Sequence, residues 1–437
     1  DLDTATPGDG EQVTFDRGEF SLTAGLAAFD SCDALLTHLR TEGAERVGPW
    51  GFNDGGYWFG RDDIAVMEGM DVEESAAATD DSTDFDSASD GGTTNQTTAP
   101  AAQAGATGDR PVEGEDFSGT NNQEQGVDEP DIVKTDGQRI LTVTNGTFTY
   151  VDAADGSPVK RGSLAVGYET QDMLVVGDRV LLFGVSWGDG GGPVPMPVEP
   201  GVAIAVDDGE FAETDAEAEF ATDDVIEADI MPPGPDGYYG PRVRIVELDV
   251  SDPDDPSITS ELFVDGHYLS ARLVDGRVSV ALQSNPVDLG FVFPQGPSGE
   301  ARAEELNKQI VGETELSDWL PSYTLESGGS TSGGILSDCQ NVHAPAEFAG
   351  FGSLSVLTID MAAGLSAPKA ASVLAAGYTV YASTSNMWIA TNEWIDWSVL
   401  DEAGRRAAEA SYGTQIHGFS IDGDRPDYVA SGGVRGH

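Results

Sequence analysis

Basic residues are scarce in this chain. Of its 437 residues, 21 are Lys or Arg and 77 are Asp or Glu, which gives a formal net charge of −56. The only lysines are Lys134, Lys160, Lys308 and Lys369, and they are dispersed along the chain. Binding to nucleic acid or to an anionic membrane surface depends on clustered Lys and Arg. Both functions are therefore excluded.

The acidic charge belongs to a folded protein. Apolar residues make up 39% of the chain, which is enough to form a sizeable core, so the acid is a property of the surface. One alternative is a single acidic tail, but the excess runs from Asp1 to Asp427. A surface this acidic and this poor in lysine is typical of salt-loving archaea, in which molar cations screen the repulsion.

Long apolar runs and cysteines are also few. No run of 18 apolar residues occurs, so no transmembrane segment is predicted. Because the chain begins at Asp1 without Met, we expect that a leader has been removed or that the chain is a fragment. The two cysteines, Cys32 and Cys339, could form one long-range disulfide in an exported protein or remain two buried thiols. The residues alone leave both alternatives open.

Composition divides the chain into three parts. Residues 1–70 predict a small N-terminal module with a helical centre, in which Asp30 or Ser31 could cap a second helix that a turn separates from the first. The apolar residues at helical spacing are Leu22, Leu26, Phe29, Leu35, Leu36 and Leu39. Residues 71–119, rich in Asp, Ser, Thr, Ala and Gly, predict a disordered linker. Residues 120–437 change to short alternating apolar runs, which indicate strands. N-glycosylation triplets begin at Asn95 and Asn145, which are acceptor candidates if the chain is exported.

A repeat lies within the strand-rich part. Two strands joined by a short turn recur, with the turns at Asp136-Gly137, Gly177-Asp178, Asp275-Gly276 and Ser385-Asn386. The intervals are about 40, 98 and 110 residues; insertions of about 53 and 65 residues, at 187–239 and 286–350, reduce the longer two to about 45. That is the period of a four-stranded propeller blade.

The predicted fold is mainly β, a propeller of four-stranded antiparallel blades with helical loop insertions. One blade is predicted from four strands at 242–250, 257–264, 268–274 and 277–283. A third, helical insertion is predicted at 394–412, and a new strand near residue 415 is expected to open a further blade. Four hairpins and half a unit cannot close a ring of six to eight blades, so we expect an incomplete propeller. The alternative is an ordinary β-sandwich.

Several separated segments support a family resemblance. TNNQEQGVDEPDIVKTDGQRILTV at 120–143 resembles the opening of a family of secreted prokaryotic, haloarchaeal-type proteins with a C-terminal β-propeller domain, distantly related to WD-type repeats. Four other segments are similar in the same order: FDSCDALLTHL, LSDWLPSY, SDCQNVHAP and GYTVYASTSNMWIAT. The resemblance implies an exported or surface-attached propeller. It implies no established reaction and supplies no catalytic residue.

An acidic loop before the first repeat is the best candidate metal site. Asp128, Glu129, Asp131 and Asp136 place oxygen ligands at short spacing, which suits Ca²⁺. The alternative is that they cap turns and solvate the strand entrance. The GxSxG pattern at 184–188 precedes a Gly- and Pro-rich run that cannot begin a helix, so no nucleophile elbow is predicted.

Aromatic residues form a second group of candidates. A ligand face or internal packing could explain Trp50, Tyr57, Trp58, Trp319, Tyr323, Trp388, Trp394 and Trp397, of which the last two stand beside a predicted insertion. The sequence therefore favours a secreted or cell-surface binding module that holds a protein, glycan or envelope component through its loops. One alternative is an extracellular hydrolase-like enzyme with an acidic site in the propeller channel, which Ca²⁺ could assist. The other is a structural envelope module.

Overall fold

The computed structural model describes residues 21–23, 27–52, 124, 126–167, 170–187, 225–227, 240–286, 289–294, 298–345, 348–392, 395, 400–411 and 413–435. The strands are β1 (Ser21–Thr23), β2 (Ala27–Ala28), β3 (Val133–Thr135), β4 (Arg139–Thr144), β5 (Thr147–Asp152), β6 (Val159–Ala165), β7 (Thr170–Val176), β8 (Arg179–Trp187), β9 (Val225–Glu227), β10 (Pro241–Asp249), β11 (Ser257–Asp265), β12 (His267–Val274), β13 (Arg277–Ser284), β14 (Val292–Pro294), β15 (Ser322–Ser327), β16 (Ser330–Ile335), β17 (Val342–Ala344), β18 (Ser353–Asp360), β19 (Lys369–Leu374), β20 (Gly377–Ala382), β21 (Asn386–Asn392), β22 (Gly413–Ser420) and β23 (Asp427–Arg435). The α-helices are α1 (Cys32–Arg46), α2 (Glu300–Glu313) and α3 (Glu402–Ser411). None of them is long and apolar enough to cross a membrane.

Four sheets each contain an antiparallel meander of four strands. Blade 1 is β3-β4-β5-β6; blade 2 is β7-β8-β10-β11; blade 3 is β12-β13-β18-β19; blade 4 is β20-β21-β22-β23. Three blades gain strands at their outer edges: β15 and β16 extend blade 2, β17 and β2 extend blade 3, and β1 extends blade 4. Strands β9 and β14 form a separate pair.

The predicted repeat is confirmed. Each of the four predicted turns joins the first two strands of one blade. The three insertions occupy one equivalent position, between the second and third strands of blades 2, 3 and 4. Blade 1 has only the turn Asn145-Gly146 there, with φ of 51° and 70°. These positive values are those of a two-residue hairpin turn.

The predicted phase of the repeat, that is, the point in the chain at which one blade ends and the next begins, was wrong. Residues 242–283 were assigned to one blade, but β10 and β11 are the third and fourth strands of blade 2, whereas β12 and β13 begin blade 3. The chain crosses between the blades at Gly266, where φ is 121° and a Cβ atom would lie 2.4 Å from the Gln283 carbonyl oxygen. This crossing is as short as a hairpin turn, so the sequence could not distinguish it from one.

The prediction that a strand near residue 415 opens a new blade was also wrong. Strand β22 pairs with β21 over seven residue pairs, and β23 pairs with β22. The two strands therefore complete blade 4. The helical insertion before them is confirmed by α3.

The core lies between the facing sheets of successive blades. Leu141, Val143 and Phe148 of blade 1 pack against blade 2. Further apolar clusters fill the spaces between blades 2 and 3 and between blades 3 and 4. Each fully buried Val, Leu, Ile or Phe contributes about 1.5–3 kcal/mol to the free energy of folding. Apolar burial therefore holds the blades together despite the acidic surface.

Helix α1 packs against the second insertion. The Ser31 hydroxyl accepts a hydrogen bond from the Ala34 amide at 3.1 Å, which confirms the predicted cap. The helical prediction was wrong at Leu22, which lies in β1, and at Phe29, which precedes the first residue of α1; Leu26 lies outside the described residues. Leu35 and Leu39 of α1 are buried in a cluster with Trp319 of the insertion. This cluster joins the N-terminal residues to blade 3.

Candidate functional site

One segment connects three blades along their inner edges, which are formed by the first strand of each blade. Asp128 and Leu273 of β12 exchange two backbone hydrogen bonds of 2.9 Å, and the Asp131 amide donates to the Met173 carbonyl of β7 at 3.2 Å. The chain then enters β3 of blade 1. Residues 128–131, the acidic loop of the sequence, therefore run along the first strands of blades 3 and 2.

Two buried cationic side chains form ion pairs with the acidic residues of this segment. Lys134 is 8% exposed; its Nζ donates to Asp128 Oδ1 at 2.7 Å and also to the Glu129 carbonyl. Arg272, 7% exposed, lies with Nη2 3.4 Å from Glu129 Oε1 and donates to the Ala271 carbonyl at 2.8 Å. A buried cation requires such partners. The ion pairs therefore fasten the segment to the blades.

A carboxyl group and a phenol lie beside these ion pairs. Burial raises the pKa of Asp172 on β7; the charge of Asp131 raises it further, while Tyr268, Lys134 and Arg272 oppose the shift. Burial and the neighbouring Asp172 also raise the pKa of Tyr268, whose ring stacks on Phe183 with centroids 5.4 Å apart. Burial favours the neutral form of each group. The inner edge therefore combines two groups whose neutral, protonated form is favoured, Asp172 and Tyr268, with the neighbouring ion pairs.

The four predicted calcium ligands have separate partners. Asp128 and Glu129 face Lys134 and Arg272, as described above. The Asp131 side chain accepts from the Ile132 amide at 2.7 Å, and Asp136 Oδ2 lies 3.1 Å from Arg139 Nε. Across the described ranges, no three His, Cys, Asp or Glu side chains are grouped so that they could hold a metal ion. A calcium ion at these residues stays a prediction.

Arginines that follow the first turn of a blade reach the next blade. Arg139 Nη1 of blade 1 lies 3.0 Å from Asp178 of blade 2. Arg179 of blade 2 donates to the Met361 carbonyl of blade 3. Arg277 of blade 3 lies 3.5 Å from Asp424 of blade 4. These contacts were not predicted from the sequence, although an arginine just after the turn in three repeats was the available signal.

Clefts open between neighbouring blades beside these arginines. The cleft between blades 1 and 2 has a volume of about 140 Å³ and is lined by Asp128, Lys134, Asp136 and Arg139, among others. A larger one, of about 470 Å³, lies between blades 2 and 3 and is lined by Arg179 and Glu247. Glu247 is 6% exposed, and its Oε1 lies 3.0 Å from Arg179 Nε. The clefts offer polar surface on the side of the first turns.

The described aromatic candidates differ in how far their side chains are buried. Trp319 is 1% exposed and packs against Phe52 and Phe351, so packing explains it. Trp50 is 44% exposed and stacks on Phe293 with centroids 6.2 Å apart. Tyr323 lies in β15 and Trp388 in β21, both partly buried. Tyr57, Trp58, Trp394 and Trp397 lie outside the described residues.

The remaining predicted sites are placed as follows. Cys32 and Cys339 form a disulfide with an S–S distance of 1.96 Å, which joins α1 to the second insertion. Asn145 is exposed in the turn between β4 and β5, whereas Asn95 lies outside the described residues. Ser186 of the GxSxG pattern lies within β8, opposite Arg242 of β10.

Four-stranded antiparallel meanders that pack face to face, with their first strands along a shared inner edge, define a β-propeller. The chain matches the family described as Beta propeller domain over residues 117–437, and it belongs to that family. Comparison with curated proteins and with solved structures gave no match.

Proposed function

We propose that this protein is an exported or cell-surface binding module of a salt-loving organism, which holds a protein, glycan or envelope component through its loop insertions. One observation carries the proposal: the insertions of blades 2, 3 and 4 all leave from the same position in the blade. Equivalent connections emerge on the same side of a propeller, so the insertions are gathered at one face. Loops on a rigid scaffold are the usual carriers of binding.

The chemistry of the chain supports a location outside the cell. A disulfide persists in oxidising compartments and is rare in the cytosol. Asn145, in its exposed turn, would be accessible for N-glycosylation. The net charge of −56 suits a medium in which salt screens repulsion. These features agree with the family resemblance of the sequence.

The three insertions differ in what they can offer a partner. The second packs its α2 and Trp319 against α1 and adds β15 and β16 to blade 2, so it braces the scaffold. The third contains α3, in which Glu402, Arg405 and Arg406 are exposed. The first contains β9, which pairs with β14 of the second insertion, and it adds no described strand to a blade. It is therefore the first choice for partner contact.

The test replaces the first insertion by the turn that blade 1 already uses. Ser186 lies opposite Arg242 in a hydrogen-bonded pair of the ladder, as Thr144 lies opposite Thr147 around Asn145-Gly146. Replacing residues 187–241 by Asn-Gly should therefore close the hairpin without disturbing blade 2. The matched control replaces residues 392–414 by Asn-Gly, because Thr391 lies opposite Gln415 in a hydrogen-bonded pair.

Capture is measured from the medium and envelope of the producing cells at high salt. The wild type and the control should retain the same bound component, and the variant without the first insertion should lose it while its melting temperature is preserved. Equal retention by all three proteins would exclude the first insertion as the binding element. No retained component from either fraction would overturn the binding function.

A second candidate is enzymatic, and the inner edge favours it. Asp172, with its raised pKa, lies beside Asp131, Tyr268 and two cations, and such groups can exchange protons with a substrate. The test is a screen of chromogenic esters, phosphoesters and glycosides at high salt, with and without Ca²⁺. An activity lost in both Asp131→Asn and Asp172→Asn would support an enzyme. Absence of turnover, or activity unchanged in both variants, would exclude this site.

A further inference from the structure

Most outer edges of the blades are protected against pairing with another chain. Strand β6 of blade 1 carries Lys160 and Arg161. Blade 3 ends in β2, of two residues, and blade 4 ends in β1, of three residues. An exposed edge strand presents unpaired backbone groups, and charged side chains or very short edge strands are usual means of preventing association.

Strand β16, the outer edge of blade 2, has neither kind of protection. Its sequence, STSGGI, contains no charge and no proline. Residues 330–334 are all exposed, and among the residues that the structure describes β16 pairs with β15 alone. Strand β16 is therefore an edge strand of six uncharged residues in a chain that has 77 acidic residues. A Cβ atom at Gly333 would lie 2.6 Å from the Tyr323 carbonyl oxygen, so a residue with a side chain does not fit there unless β15 or β16 moves.

The turn before β16 determines which backbone groups point outward. Gly328 and Gly329 have φ of 58° and 76° and join Ser327 to the opposite Ser330. Such a two-residue turn closes on a hydrogen-bonded pair, and these pairs alternate along the ladder. The amides of Thr331, Gly333 and Ile335 therefore face away from β15.

The side chains of β16 determine which kind of strand could pair with it. Side chains of an incoming strand would lie against Ser, Thr and Gly, which form no pocket for a large group and offer no charge to a basic or acidic one. A strand that is itself small and neutral fits best, and β16 of a second copy has this composition. We propose that two copies of this chain associate by antiparallel pairing of their β16 strands.

A two-fold axis at Gly333 would satisfy the outward amides. Thr331 would lie opposite Ile335 of the second copy, and Gly333 opposite its own equivalent. Two blades would then form one continuous sheet across the axis, an isologous arrangement. One edge pair buries less surface than a standard interface of about 1,600 Å², so the dimer is weak. Its formation also requires salt, because each copy carries a net charge of −56.

Sedimentation over a range of protein concentration tests the proposal. In about 1 M KCl, where the Debye length is about 3 Å, the weight-average mass should rise from 45.7 kDa towards twice that value. Thr331→Pro removes an outward amide from both strands and should weaken association about tenfold or more. Thr331→Lys should also weaken association, because the added ammonium group would lie against Ile335 of the second copy and lose hydration, a cost that salt does not screen. Thr331→Val, the matched control, keeps the amide and should dimerise like the wild type.

Each outcome decides the proposal. A mass of 45.7 kDa at all salt and protein concentrations would overturn it. A dimer that is equally stable in Thr331→Lys and in the wild type would place the interface elsewhere and would overturn it as well. Thr331→Lys keeps the β15 ladder intact, so the test stands even if the proline variant does not fold. The result is independent of the proposed binding function, which rests on the first insertion.

Discussion

The interfaces between blades and the contacts at their rims use different forces. Between the blades, faces of Val, Leu, Ile and Phe are buried, whereas at the inner edge and the first turns the contacts are ion pairs of Arg and Lys with the abundant acids. Apolar burial needs no specific geometry, but an ion pair fixes one orientation. Stability and the relative register of the blades are therefore supplied by separate residues in this acidic protein.

The largest effect is expected where packing is tightest. Trp319 is 1% exposed, and its indole N–H donates to the Thr314 hydroxyl at 2.9 Å. Trp319→Ala should lower the free energy of unfolding by about 3–5 kcal/mol, because it leaves a cavity under α1. Denaturant unfolding at constant salt measures the change. Trp50→Ala is the matched control, since Trp50 is 44% exposed; equal losses in both variants would contradict the packing described for Trp319.

A buried histidine should make the stability of blade 4 depend on pH. His417 is 2% exposed and lies between Thr391 and Ser431, and burial lowers its pKa to about 4. The unfolded state takes up a proton near pH 6.5, whereas the folded state does so only near pH 4. Stability is therefore complete above pH 6.5 and falls by about 3 kcal/mol as the pH decreases to about 4.

The measurement is the difference between the wild type and His417→Gln over this pH range. Carboxylates titrate in the same window, but they do so in both proteins and cancel in the difference. The variant should lose less stability than the wild type between pH 6.5 and 4. Parallel curves would show that His417 is protonated equally in the folded and unfolded states.

A smaller effect is expected from an ion pair within blade 2, between Arg179 of β8 and Glu247 of β10. Arg179→Met leaves Glu247, 6% exposed, without its cation, and should lower the free energy of unfolding by about 2 kcal/mol. The double variant Arg179→Met with Glu247→Gln should recover part of the loss, because no uncompensated charge remains. Thermal unfolding of the two variants gives the comparison. A double variant less stable than the single one would show that Glu247 acts mainly through its hydrogen bond from the Leu365 amide.

The smallest effect is expected at the exposed rim. Arg161 lies 2.7 Å from Asp254 and joins blades 1 and 2 at the surface. High salt screens such a pair, so Arg161→Met should not change the melting temperature measurably in molar KCl. A decrease as large as that of Arg179→Met would contradict the distinction between buried and exposed pairs.

The sequence predicted what is encoded locally. Turn dipeptides such as Asp275-Gly276 identified the hairpins, and their spacing identified the insertions. The phase of the repeat could not be predicted, because the crossing at Gly266 has the same length as a hairpin turn. The burial of Trp319 depends on a helix more than 270 residues earlier in the chain. Contacts of this kind leave no periodic signal.

The candidate site was predicted in part. The acidic loop at 128–131 was recognised as unusual, but its buried partners were not. Strand β12 contributes Arg272 from a distant part of the chain, whereas Lys134 is close in the sequence but its burial depends on the fold. A local cluster of acids indicates Ca²⁺ only when cations are absent, and the sequence cannot show which cations the fold brings close.

The central claim is that the chain works as a module outside the cell. The most direct measurement is the intact mass of the protein recovered separately from the medium, the envelope and the cytoplasm of the producing cells, before and after reduction and deglycosylation. The account predicts an extracellular or envelope-bound species that gains the mass of two hydrogen atoms on reduction, from the bond between Cys32 and Cys339. An unmodified species with two free thiols, confined to the cytoplasm, would contradict it.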